Sequence, residues 1–164
     1  MFATEYQHEA VVLELVEEAG QVSLLQEAAI FNAIKHHNLM LLQTLLPHES
    51  QLLSEQNKTP AMCCVDEDWA EGARLLAFDT RKDEFSGLTP LIQSIDRRRM
   101  ELVRVLASAQ VDVEDSRGKH PIEHAIAVGD LTIITIIAQA TRSRRNFLVQ
   151  VVKYVDDLTL LEPL

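Results

Sequence analysis

Residues 83–113 read DEFSGLTPLIQSIDRRRMELVRVLASAQVDV. The stretch opens on Gly87-Leu88-Thr89-Pro90-Leu91, continues as two apolar runs of helical period, and closes on Asp112-Val113. Gly87 can take the positive φ that a tight turn before a helix often needs. Thr89 is suited to cap a helix by accepting a hydrogen bond from an orphan backbone N–H. Pro90 suits the first helical position, where its missing N–H costs nothing. Leu91, Ile92 and Ile95 make the apolar stripe of a short inner helix. Met100, Leu102, Val103, Val105 and Leu106 make the stripe of an outer one. Neither helix can bury its apolar side alone, so the stretch predicts one unit of a stack.

The same pattern occurs on either side, as Asn57-Lys58-Thr59-Pro60-Ala61 and Gly118-Lys119-His120-Pro121-Ile122. The prolines at 60, 90 and 121 are 30 and 31 residues apart. A fixed period in this range is the signature of a stacked helical repeat.

GLTPLIQSI at 87–95, NKTPAMCCV at 57–65 and GKHPIEHAIAVG at 118–129 resemble the ankyrin repeat, in which a turn and T-P-L-H-x-A precede two antiparallel helices. MELVRVL at 100–106 and LTIITII at 131–137 match its second half. His120 stands where the family has Thr, the usual His after Pro90 is absent, and the period is shorter than the family's 33 or so. The shortening falls after the outer helix, where the family has its β-hairpin finger. The resemblance therefore implies an all-α, ankyrin-type helical-hairpin solenoid with short or stunted β-hairpin fingers.

In this register, residues 1–164 form a single domain. A capping half-repeat spans 4–22, repeats span 23–53, 54–83, 84–114 and 115–145, and a capping helix with a tail spans 146–164. Val11, Val12, Leu15 and Val16 stripe a first helix over 4–19, which Gly20 stops. The first repeat lacks Thr-Pro and has Ala29 at the equivalent place. Its helices are expected over Gln26–His36 and Leu39–Leu46, with Pro47 ending the second. In the second repeat, Ala61 to Val65 form the inner helix, Asp66-Glu67-Asp68 an acidic turn, and Trp69 to Phe78 the outer helix. Leu131 to Ala138 is almost wholly aliphatic, which predicts burial on most sides. NFLVQVVKYVDD at 146–157 reads as the last helix, and LTLLEPL follows it.

Apolar residues make up 47% of the chain and aromatic ones 5%, so the core is aliphatic. No apolar run reaches the 18 or so residues of a membrane span, and the first residues, MFATEYQHEA, do not read as a secretory signal. The two cysteines, Cys63 and Cys64, are adjacent and offer no disulfide framework. A cytoplasmic location is expected. The net charge of −10 is uneven: residues 1–57 carry eight Glu, no Asp and only Lys35. Such a balance argues against a general nucleic-acid binder, whose phosphate contacts need a basic footprint. It fits a solvated acidic helix, steering of a partner with a basic segment, or self-contact with the downstream arginines.

His120-Pro121-Ile122-Glu123-His124 matches H-x-x-E-H, a zinc-hydrolase pattern with two His ligands and a Glu base. The repeat register opposes that reading, because His120 and Pro121 occupy the Thr-Pro slot and His124 a normally buried Leu slot. Cys63 and Cys64 likewise fall on buried positions, where free Cys acts as a small hydrophobe. Arg97-Arg98-Arg99 lies at a tip between helices, and Arg142, Arg144 and Arg145 precede the last helix. No phosphate-binding or nucleophile-elbow motif occurs. A non-enzyme is expected, with no cofactor and no metal.

The resemblance implies a protein-binding adaptor that uses a concave surface of turn tips and inner helices. Its contact positions fall on Glu55, Gln56, Lys58, Asp66 and Glu67, then on Phe85, Ser86, Leu88, Asp96 and Arg97, and then on Ser116, Arg117 and Lys119. Phe85 and Leu88 would be exposed apolar anchors, unless Phe85 folds back onto the stack. Two other readings stay open. One is a self-assembling structural subunit; the other is the metal-dependent hydrolase through His120, Glu123 and His124.

Overall fold

The computed structural model describes residues 28–141. Expectations for the helix over 4–19, for 146–157, for the LTLLEPL tail and for Arg142, Arg144 and Arg145 lie outside these residues. Every described element is an α-helix, and no strand occurs among the described residues. The elements are α1 (Ala29–Lys35), α2 (Leu39–Glu49), α3 (Pro60–Asp66), α4 (Ala70–Leu75), α5 (Pro90–Asp96), α6 (Met100–Gln110), α7 (Pro121–Val128) and α8 (Leu131–Thr141).

The chain divides into two compact units between Asp79 and Thr80. In the first, α1 packs on α2 and α3 on α4, while α1 also meets α3 and α2 meets α4. In the second, α5 and α6, α7 and α8, α5 and α7, and α6 and α8 pack in the same way. Each unit is thus two helix pairs in two layers, the first helices of the pairs together and the second helices together.

Local chemistry explains where the helices start. Thr59 and Thr89 accept from the N–H of Met62 and Ile92, at 3.4 and 3.3 Å, and Pro60 and Pro90 follow them. α7 begins with His120-Pro121, where Glu123 reaches back to accept from the His120 N–H at 2.6 Å. Each first helix ends on a residue with positive φ: His37, Asp68, Arg98 and Gly129. These stand at steps of 31, 30 and 31 residues. A second series, Asn57, Gly87 and Gly118, has positive φ just before the capped helices. Both series carry the period of the prolines. In the first three pairs the N–H of the next residue closes the helix end: Asn38, Trp69 and Arg99 donate to the carbonyls of Ala33, Cys64 and Ser94 at 2.8 to 2.9 Å.

The core is aliphatic, as the composition predicts. Ile30, Ile34, Leu42 and Leu45 are fully buried in the first unit, and Leu91, Ile92, Ile95, Leu102, Leu106, Ile133 and Ile137 in the second. Each such side chain contributes roughly 1.5–3 kcal/mol by leaving water.

Four sequence expectations need correction. Pro47 does not end its helix, because α2 runs on to Glu49. The last turn is held by Ser50 N–H on the Leu46 carbonyl and by the buried Glu49 carboxylate, which binds Ile30 N–H at 2.8 Å. α4 stops at Leu75 rather than Phe78, since tighter turns close from Ala77 to Arg74 and from Asp79 to Leu76, and Phe78 points outward at 87% exposure. α8 is not buried on most sides: Ile133 and Ile137 face α6 and α7, while Leu131 is exposed. Cys63 is half-buried, and only Cys64 occupies a closed core position.

Candidate functional site

The turn before each capped helix is built to one plan. An opening residue donates its N–H across the turn, Ser54 to Lys58 O, Asp83 to Leu88 O and Asp115 to Lys119 O, each at 2.9 Å. The same residue's side-chain oxygen gathers the N–H groups inside the turn. Ser54 Oγ accepts from Gln56 and Lys58 at 3.3 and 3.2 Å. Asp83 Oδ1 accepts from the N–H of Phe85 and Ser86 at 3.1 and 2.6 Å, and from the Ser86 hydroxyl at 2.8 Å. Asp115 Oδ1 accepts from Arg117 and Lys119, both at 2.8 Å. Such side-chain-to-backbone bonds fix a turn that would otherwise lose its order.

The turns differ by one residue. Those from Ser54 to Lys58 and from Asp115 to Lys119 hold five residues, and that from Asp83 to Leu88 holds six. In the longer turn Phe85 stands in solvent, at 81% exposure, although its own N–H is anchored. Leu88 is half-buried, so it is not the freely exposed anchor that the register suggests.

Within the second unit the turns around Asp83 and Asp115 touch. Ser116 N–H donates to the Gly87 carbonyl at 2.9 Å, and Lys82 Nζ donates to the Asp115 carbonyl at 3.0 Å. Gly87 is required twice, by its φ of +71° and because a Cβ there would lie 1.7 Å from Ser116 Oγ. Phe85, Ser86, Ser116, Arg117 and Lys119 therefore share one continuous exposed surface. Among the described residues the side chains of Lys82, Arg117 and Lys119 have no carboxylate partner.

The other sequence-predicted contact residues are placed as follows. Glu55, Gln56 and Glu67 are exposed. Lys58 and Asp66 are bound to each other at 2.6 Å. Asp96 and Arg97 are exposed at the end of α5, where Asp96 is engaged by His124.

His120, Glu123 and His124 do not converge. The His120 ring turns to Glu114, with Nε2 3.0 Å from Oε1, and Glu123 is committed to the His120 N–H. His124 bridges two carboxylates, Nδ1 to Asp96 Oδ1 and Nε2 to Asp115 Oδ2, each at 3.2 Å. The Leu slot thus holds a half-buried polar side chain between two carboxylates rather than an apolar core side chain. Among the described residues no group of three His, Cys, Asp or Glu side chains is arranged to hold a metal ion. Burial, with Cys63 and Glu67 nearby, pushes the Cys64 thiol far above its ordinary range, as for a small core side chain.

Burial pushes the Asp115 carboxyl up, but the Lys119 and Arg117 N–H groups and His124 outweigh it and hold the acid below the usual carboxylate range. Reading the sequence for contact positions misses Asp83, Asp115, Lys82 and His124. The available signal is an Asp three or four residues ahead of a turn glycine, in D-E-F-S-G and D-S-R-G.

No protein-family model matches the chain, and no curated protein matches it. Among the described residues no helix is long and apolar enough to cross a membrane.

Proposed function

We propose that this chain is an ankyrin-type repeat protein that binds another protein through its turns and the exposed ends of its first helices. The repeat reading is supported by two series of left-handed backbone positions that keep the proline period, and by the two-layer packing inside each unit. The binding reading rests on one observation: Phe85 is 81% exposed on a turn whose N–H groups are fixed by Asp83. A large apolar side chain held out on an ordered backbone loses little freedom when a partner covers it, which is the property of an interface anchor.

The test contrasts surface with core in the full chain. Affinity capture from the native cell supplies the partner. Phe85→Ala should then weaken binding about thirtyfold, since an anchor is worth ~2 kcal/mol, without changing the urea midpoint. Arg97→Glu, a rim change, should mainly alter association rate and salt dependence. Ile95→Ala and Leu106→Ala remove fully buried side chains and should cost ~2–5 kcal/mol of stability. Binding that survives Phe85→Ala and Arg97→Glu together would place the interface elsewhere.

A further inference from the structure

The whole chain is acidic, and on net charge alone a basic partner fits it. The surface around Phe85 has the opposite sign. Lys82, Arg117 and Lys119 are exposed beside it, with no carboxylate partner among the described residues. Asp83 and Asp115, the nearby acids, are buried and spend their oxygens on turn N–H groups and on the Ser86 hydroxyl and His124. Of the two exposed acids on these turns, Glu114 is already taken by His120, and Glu84 is itself engaged.

We infer that this surface selects an acidic peptide segment carrying a large apolar side chain, which packs on Phe85 while its carboxylates meet Arg117 and Lys119. The inference rests on the binding role proposed for Phe85 and names the chemistry of the partner. The fit is specific in two ways. Arg117 and Lys119 hold the turn through backbone groups alone, so both side-chain charges stay available to a partner. Lys82 ties its ammonium to the Asp115 carbonyl, and so holds a positive charge against the turns. A carboxylate arriving there gains charge-assisted bonds at the rim of an apolar contact, where steering and register are set.

The experiment is a selection from a random dodecapeptide display library on the immobilised full-length chain. Parallel selections use Phe85→Ala and the double variant Arg117→Glu/Lys119→Glu. Circular dichroism and urea midpoints equal to those of the parent establish that both variants fold. The expected result is enrichment of peptides that combine Asp or Glu with an aromatic or aliphatic residue. Phe85→Ala should weaken a synthesised winner at least tenfold, and so should the double variant. Raising NaCl from 0.05 to 0.5 M should weaken the parent but not the double variant, a reading that a merely structural role would not give. Enrichment of basic peptides that still depend on Phe85 overturns the acidic assignment and leaves the binding role standing. Enrichment independent of all three residues, or none above the double variant, overturns both. Binding of phosphatidylserine vesicles or single-stranded DNA through Arg117 and Lys119, in place of peptides, also overturns the assignment.

Discussion

Glu49 Oε2 accepts a hydrogen bond from the backbone N–H of Ile30 at 2.8 Å, across nineteen residues of chain. Gln110 Oε1 does the same for Leu91 N–H at 3.0 Å, again nineteen residues away. In both pairs the last turn of the second helix reaches back to satisfy a donor in the first turn of the first helix. For α1 this matters most, because Ala28 offers no side-chain cap.

Glu49→Gln should therefore be nearly silent, since Gln110 already performs this task with an amide. Glu49→Ala should cost ~1–3 kcal/mol by leaving the Ile30 donor buried and unpaired. Urea denaturation of the three proteins checks the order. An equal loss for Gln and Ala would mean that the carboxylate's charge, not its acceptor oxygen, carries the contact.

Gly72 lies beneath the only tryptophan. A Cβ at this position would stand 2.2 Å from Trp69 Cε3, and Trp69 itself is stacked on His37 with ring centroids 5.1 Å apart. Gly72→Ala gains helix propensity but must lift the indole from its seat. Overpacking of this kind typically costs ~1–3 kcal/mol. Trp69 emission should shift to longer wavelength as the ring gains water. A variant with unchanged emission and higher stability would show that the ring relaxes freely.

The left-handed residues make a pair of opposed expectations. Gly129 has φ +72°, a Cβ added there would meet nothing within 4 Å, and its equivalents are His37, Asp68 and Arg98. Gly129→Asn should lower stability by well under ~1 kcal/mol, because Asn tolerates this backbone. Gly87→Ala adds a collision with Ser116 to the φ cost and should be far worse. Ser116→Gly in the Gly87→Ala background should recover the collision part alone, which a double-mutant cycle measures.

Much of this is legible in the sequence, and the reasons are physical. Thr89 and Pro90 specify a helix start through local bonding, so the starts of α3, α5 and α7 follow from Thr-Pro or His-Pro alone. The end of α2 is set by a tertiary contact. Glu49 carries α2 past Pro47 because its carboxylate has a partner in α1, which no local signal announces. Reading the turns for exposed side chains passes over the buried Asp83 and Asp115 that shape them. The six-residue length of the turn that carries Phe85 is visible only once the bonds closing each turn are known. His124 sits in a slot that the repeat pattern fills with Leu, and its partners Asp96 and Asp115 come from two other segments.

Asp115 gives the last prediction, on acid stability. Its Oδ1 accepts two turn N–H groups at 2.8 Å and its Oδ2 faces His124 Nε2 at 3.2 Å, which holds the native acid below the usual carboxylate range despite burial. A carboxyl whose native pKa is depressed contributes stability that is fully present above its unfolded value of about 3.9 and is lost as pH falls through the native value. Asp115→Asn keeps one acceptor oxygen but removes the charge and turns an N–H₂ toward the ring or the turn. At pH 7 the variant should be less stable by ~1.5–3 kcal/mol, the worth of hydrogen bonds to a charged group. Urea midpoints measured from pH 7 down to pH 2 should show the two proteins converging below about pH 4, as the parent loses the contribution that the variant never had. Parallel curves over the whole range would mean that the charge of Asp115 adds nothing, and that the turn is held by its backbone bonds alone.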